Sequence, residues 1–348
     1  METDTIDVSS EDFGVLARQV REAGLLNRRP GYYGAKIPLT VAAFGAGFAG
    51  LVLVGNSWFA LLIAAFLGLM FTQLGFVGHD AGHQEVFRSR RANRLLGFAV
   101  GNVLIGMSFG WWVPKHSAHH AHPNEIGRDP DIGDAGVTLP ADGQGASGNA
   151  LTRAMERWRA PLFFPLMVLR STGIYVLGIR RLIRQRNRAA GVEGALLALH
   201  VALYLTCVFW VLSPLKAVAF IAVQQAVFSV YLGCSFAPNH KGMPIIESGS
   251  GLSFARRQVV SSRNIAGGWF TNLLLGGLNY QIEHHLFPNM PRPNLARAQG
   301  IVRAFCLDNN LGYREDSLIG SYRQTLDSLR ASFVPIVVPV PVPVPVSA

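Results

Sequence analysis

The sequence predicts an all-α integral membrane fold, with four transmembrane helices arranged as two hairpins. Three observations carry this prediction. Half of the 348 residues are apolar, only 15% are charged, and the mean hydropathy is positive at +0.28, as expected of a chain that uses lipid as solvent. Four apolar runs are each about long enough to cross a hydrocarbon core of ~30 Å at ~1.5 Å per helical residue. Histidines cluster at helical spacing beside the ends of these runs.

Residues 1–36 are polar and form an amino-terminal segment of their own. Ser9 and Asp12 resemble a capping box ahead of Phe13, Leu16, Ala17 and Val20 at amphipathic spacing, which predicts a short helix on the membrane surface. A solvated helix packed on the rest of the chain satisfies the same pattern. Met1 to Asp7 is acidic and lacks an apolar core, so no secretory signal is expected.

A membrane domain is expected over 37–333. Its first hairpin runs from Ile37 to Val54 and from Trp58 to Val77, joined only by Gly55, Asn56 and Ser57. The second runs from Ala195 to Leu212 and from Ala217 to Phe236. Two further apolar stretches, Leu95 to Val113 and Pro161 to Ile179, are also long enough to span. The second carries Arg170 and two prolines, a poor core for a lipid-exposed helix, and the first is rich in glycine. If both crossed, the histidines between them would face the opposite side from the other clusters, and ligands of a shared metal cannot be so divided. Both are therefore placed at the interface or half-buried. Every Lys and Arg except Lys216 then falls on one side, which the positive-inside rule makes cytoplasmic. The membrane expected is a bacterial plasma membrane. Residues 334–348 form a Val/Pro-rich tail that lacks the amide donors a spanning helix needs and is expected to be extended.

The net charge of +10 comes from short basic groups between apolar runs, with no nucleic-acid module, and is read as a topology signal and contact with anionic lipid. Cys207, Cys234 and Cys306 lie too far apart in the sequence to indicate a disulfide framework or a zinc knuckle.

Ten histidines are present. His79 and His83 stand one helical turn apart at the end of the second run. His116, His119 and His120 have i, i+3, i+4 spacing, which puts three imidazoles on one helical face. Gln281, His284 and His285 repeat that spacing with glutamine first, and His240 lies just beyond the fourth run. Neutral imidazole suits iron, zinc, copper or nickel, and this many exceed what one ion can use, so two metals are implied.

In order, HDAGH, KHSAHHAHPN followed by DPDI, APNHKG, and NYQIEHHLFPNMPRPNL resemble the histidine boxes of the membrane fatty acid desaturase family. The resemblance spans about Tyr32 to Tyr313 and implies a mushroom-like fold, in which the four spanning helices carry a cytoplasmic helical cap holding a histidine-rich diiron site. It carries the ligands over to His79, His83, His116, His119, His120, His240, His284 and His285, and implies an enzyme that uses O2 and two electrons to introduce a cis double bond into a fatty acyl chain. The acyl carrier is left open among coenzyme A, carrier protein and glycerolipid. Gln281 resembles the front-end and related acyl-lipid branch, many of whose members carry a fused cytochrome domain marked by His-Pro-Gly-Gly. This sequence has no such motif, so a separate donor such as a ferredoxin, or a cytochrome with its reductase, is expected.

A metal-bound imidazole usually donates its other N–H to a carboxylate or carbonyl. Asp80, Asp129, Asp131, Asn239 and Glu283 are candidates for that task, and Gln281 is expected to hydrogen-bond rather than ligate. His122 breaks the helical face, and His200 falls within the third span. Both are set aside as non-ligands. Trp111, Trp112, Trp269 and Phe270 fit either an apolar substrate tunnel or interfacial anchors. Three rival readings remain: a lipid hydroxylase or monooxygenase of the same chemistry, an intramembrane metalloprotease, because HDAGH resembles H-E-x-x-H, and a metal transporter. The protease needs Glu where Asp80 stands. Transport predicts polar residues in the spans, which hold little beyond Gln73, His200 and Gln224.

Overall fold

The computed structural model describes residues 7–133 and 150–330. The Val/Pro tail lies outside the described residues. In chain order the helices are α1 (Ser10–Glu22), α2 (Pro30–Val54), α3 (Ala60–Gly82), α4 (Arg90–Phe98, continued by a π-helical turn Ala99–Leu104), α5 (Phe109–Ala121), α6 (Pro130–Gly133), α7 (Ala150–Met167), α8 (Arg170–Gln185), α9 (Arg188–Val211), α10 (Pro214–His240), α11 (Phe254–Val260), α12 (Trp269–Leu274), α13 (Gln281–Leu286), α14 (Arg292–Asp308) and α15 (Leu318–Arg330). Two short strands, β1 (Asn264–Ile265) and β2 (Glu315–Asp316), pair in parallel. The chain divides into two compact units. One comprises Arg28–Lys115 and Pro161–Phe236, and the other takes the chain up to Asn27, His116–Ala160, and the chain from Ala237 on.

The first unit contains the helices long and apolar enough to cross a membrane: α2, α3, α9 and α10. Only 17% of the apolar window of α2 and 11% of that of α9 is buried, so among the described residues little covers their apolar surface. Where α2 and α3 meet, a Cβ on Gly47 would lie 2.6 Å from Leu67 Cδ2, and on α3 a Cβ on Gly68 would lie 2.8 Å from the Gln224 carbonyl. Glycine lets these backbones approach, as in other membrane helix contacts. Leu51, Leu67, Phe71, Leu74, Val208, Phe220 and Phe228 fill the space between.

α2 and α9 begin before their apolar runs because polar residues at their starts find partners. Pro30 opens α2 with its φ preset, and Lys36 Nζ donates to Gln73 Oε1 at 2.8 Å. Asn187 caps α9 by accepting from the Ala190 amide at 2.8 Å. This start brings Glu193 into the helix, a buried carboxylate that the sequence reading did not count among the polar residues of the spans. Glu193 Oε1 accepts from Asn102 Nδ2 (3.2 Å), Ser108 Oγ (2.6 Å) and the Gly110 amide (2.9 Å). His200 Nδ1 donates to the Val103 carbonyl at 2.9 Å. These four partners lie on the π-turn, the connection after it and the first turn of α5, and the chain turns sharply there: Arg90–Leu104 and Phe109–Ala121 meet at a bend of 117°. The second doubtful stretch also breaks, at 63° between Ala160–Met167 and Arg170–Gln185.

The second unit has its own core, in which α1 buries Leu16 and Val20 against Val302, Phe305 and Cys306 of α14, with Ile282 and Leu286 of α13 beneath. The Ser9 capping box is present, with the Asp12 amide donating to Ser9 Oγ at 3.1 Å and the Ser9 amide to Asp12 Oδ2 at 3.2 Å. Its apolar stripe is used within the unit, the packing that the second of the two readings of this helix expects. Arg263, 1% exposed, donates to the Pro238, Lys241 and Ser321 carbonyls, tying α15 to the end of α10.

Candidate metal centre

Within the second unit, α5 aims His116, His119 and His120 inward, and all three are buried. They do not act as one face toward one ion. The i, i+4 pair His116 and His120 has Nε2 atoms 3.1 Å apart, and His284 of α13 offers a third nitrogen within 4.8 Å of both. His119 faces His240 instead, Nε2 to Nε2 at 3.4 Å, and His285 joins these two within 4.8 Å. Two nitrogens bound at ~2.1 Å to one ion lie roughly 3 to 3.5 Å apart, the separations seen here.

Each ring of the second group is held from behind. His119 Nδ1 lies 3.0 Å from both carboxylate oxygens of Asp129 and 3.6 Å from Asp131 Oδ2. His240 Nδ1 lies 2.9 Å from the Ser261 carbonyl, and His285 Nδ1 lies 2.9 Å from Gln258 Oε1. These partners accept, so each ring carries its proton on Nδ1 and turns the lone pair of Nε2 toward the others. Imidazoles whose far nitrogen donates to a carboxylate or carbonyl are the usual ligands of iron and zinc, and three such rings converge here. The residues present therefore fit a metal.

The loop after α5 shows why the sequence folds this way. Asp129 is fixed by the amides of Asn124 (2.7 Å) and Asp131 (2.8 Å), while Asn124 Nδ2 donates to the His240 and Pro244 carbonyls at 3.2 and 3.1 Å. Asp131 thus serves mainly through its amide. Asn239 Nδ2 donates to Gln281 Oε1 at 3.0 Å, which turns the Gln281 amide nitrogen toward His240 Nε2 at 2.9 Å. Gln281 enters as a hydrogen-bond donor.

Glu283 is the exception among the expected orienting residues. It faces away from the imidazoles and accepts from Asn264 Nδ2 (2.7 Å) and the Tyr313 hydroxyl (2.9 Å), because its position on α13 points to the opposite side from His284 and His285. Burial pushes its carboxyl up to about 7 despite those donors. His122 Nδ1 lies 2.8 Å from Glu125 Oε2 and 3.0 Å from Arg257 Nη1. Burial alone would raise the Glu125 carboxyl, but His122 and Arg128 hold it below its usual range. Trp269 and Phe270 are exposed on α12.

In the first unit, His79 and His83 end α3 with rings 4.6 Å apart, and Trp112 packs on His79 at 5.6 Å. A Cβ on Gly82 would strike Trp112 at 2.6 Å, which explains glycine inside HDAGH. Asp80 Oδ1 stands 3.8 Å from His79 Nδ1, an ion-pair distance rather than a hydrogen bond. Glu85, 1% exposed, accepts from the Tyr33 hydroxyl at 3.0 Å and offers an oxygen within 4.8 Å of the possible ligand atoms of His79 and Asp80. Sequence reasoning missed Glu85, Gln258 and the Ser261 carbonyl. The first sits two residues past HDAGH and was legible in principle; a main-chain acceptor leaves no trace in side-chain identity.

A family model described as fatty acid desaturase matches residues 56–317. An acyl-lipid (9-3)-desaturase of Physcomitrium patens is 30% identical over 315 residues, covering 86% of this chain and 58% of that protein. A Delta(8)-fatty-acid desaturase of Helianthus annuus is 27% identical, covering 93% of this chain and 73% of that protein. A Delta(5) fatty acid desaturase of Caenorhabditis elegans is 29% identical, covering 92% and 73%.

Proposed function

The chain belongs to the fatty acid desaturase family, and from that premise we propose that it introduces a cis double bond into a fatty acyl chain, using O2 and two electrons from a redox donor. The single observation that carries this reading is the convergence of imidazole nitrogens in two groups, His116, His120 and His284 beside His119, His240 and His285. The ligand set we propose also takes His79 and His83, whose rings pair at the end of α3. Two irons bound by these histidines supply the O2-activating chemistry needed to take two hydrogens from an unactivated methylene pair.

The chain's own residues do the rest. Asp129, the Ser261 carbonyl and Gln258 keep three rings in the tautomer that ligates. The apolar helices α2, α3, α9 and α10 hold the protein in the bilayer where acyl chains lie. We place these as two hairpins of a membrane domain over 37–333, with the histidines in a helical cap on the cytoplasmic face, because nearly all Lys and Arg then fall on that side. The relatives are eukaryotic proteins and lend no support to a bacterial plasma membrane. Their printed names point to an acyl lipid as one candidate carrier, beside acyl-CoA and acyl carrier protein, and the electron donor is expected to be a ferredoxin or a cytochrome with its reductase.

Expression in a host lacking polyunsaturated lipids, with mass spectrometry of its fatty acids and mapping of any new double bond, tests the proposal. Loss of two hydrogens supports it. Gain of one oxygen atom would make the chain a hydroxylase instead, and a purified protein holding one tight zinc and no iron would sink both.

A further inference from the structure

We propose that Gln258 is a positioning residue that sets the tautomer of His285 and ties that ring to the end of the helix carrying His116, His119 and His120. The inference rests on the two-iron reading above.

Gln258 is fully buried on α11. Its Oε1 lies 2.9 Å from His285 Nδ1, and its Nε2 donates to the His120 carbonyl at 2.9 Å. That carbonyl is in the last turn of α5, where the next amide able to continue the helix, that of Asn124, donates to Asp129 instead. One primary amide thus meets two needs at once, accepting from an imidazole N–H and capping a helix-end carbonyl. Among the other natural side chains, only asparagine offers both groups, and it is one methylene too short to reach both partners from this backbone.

The consequence for the metal follows from tautomer logic. An acceptor behind Nδ1 forces the proton there and leaves the Nε2 lone pair facing His119 and His240. The three rings of that group have three different acceptors: a carboxylate for His119, a main-chain carbonyl for His240 and a neutral amide for His285. Only the last can be exchanged for a side chain of similar size without removing a charge. α11 is in turn anchored at its start, where Asp7 accepts from the Ser253 amide (2.6 Å) and from Arg256 Nε (2.8 Å), so Gln258 is presented from a fixed helix.

The test uses the full chain, purified in detergent as wild type, Gln258→Met and Gln258→Glu. Each is loaded with Fe(II) and then titrated with a chelator, and the Co(II)-substituted forms are compared by absorption spectroscopy. Methionine fills the space but cannot accept from His285, and iron at one of the two positions should be bound ~10- to 100-fold more weakly with an altered Co(II) spectrum. Glutamate keeps the acceptor while losing the His120 contact, so it should retain both irons at wild-type affinity or better, even where its thermal midpoint falls. Wild-type affinity in Gln258→Met, or weakened iron in Gln258→Glu, would overturn the proposal, and the glutamate variant decides alone if the methionine one does not accumulate. A wild type that takes up no pair of irons would overturn the diiron reading itself and this inference with it.

Discussion

Two regions of this molecule bury imidazole and carboxylate together and resolve the cost in opposite ways. In the membrane unit, Glu193 takes three protein donors on one oxygen, and His200 gives its Nδ1 proton to Val103. The polar atoms there are matched by protein, as burial requires of groups with a structural task. Around His119, His240 and His285 the outer nitrogens meet protein acceptors, while the inner ones converge on one another, with the Gln281 amide beside that of His240. A buried histidine is informative about function when its surroundings point its lone pair at other lone pairs. His200 is half-buried and His119 buried, and that direction is what separates them.

The largest expected effect breaks the comparison at its centre. His120→Ala and His284→Ala should each abolish product while the protein still inserts, read as new fatty acids against the amount of chain in the membrane fraction. Retained product in either would remove that residue from the ligand set. Next is Asp129→Asn, which keeps an acceptor for His119 but must give up one of the amides of Asn124 or Asp131. Metal should be held ~10- to 100-fold more weakly, measured by chelator competition, with the fold intact.

The membrane region should respond in the other currency. In Glu193→Gln the donors of Asn102, Ser108 and Gly110 exchange a charged acceptor for a weaker neutral amide oxygen, and unfolding in detergent should become easier by ~1–3 kcal/mol. Iron bound per folded chain should stay at the wild-type value. Loss of iron without loss of stability would erase the distinction drawn here between the two regions.

The histidine pattern was legible in the sequence because ligands on a helix must recur at i, i+3 and i+4, and four apolar runs announce themselves by composition alone. The pairing was not legible. Whether His119 groups with His116 or with His240 depends on the rotation of α5 against α13 and on where α10 ends, which are properties of packing. The same limit hid Glu193, since a carboxylate two residues before the apolar core of a span reads as outside it until Asn102 and Ser108 are seen to satisfy it. Glu283 was misread for a simpler reason: adjacency in sequence to His284 places it on another side of the helix.

The smallest expected effect lies at the edge of the second unit, where a carboxylate is matched by protein groups. Asp7 is partly exposed, and burial alone would raise its carboxyl, but the Ser253 amide, Arg256 and the Ser253 hydroxyl together hold it below its ordinary value of 3.8. A group depressed in the folded state is ionised there while the unfolded chain has begun to bind protons. Its contribution is therefore present in full above about 4 and is lost as the pH falls through the lower folded value. In Asp7→Asn the thermal midpoint should fall slightly at neutral pH and decline less steeply than that of the wild type below pH ~4. Added iron should leave that difference unchanged, because the Asp7 partners are protein groups only, the adjoining Val8 amide and those on α11 and its cap. An iron-dependent shift would mean that α11, and Gln258 with it, moves when the metal binds.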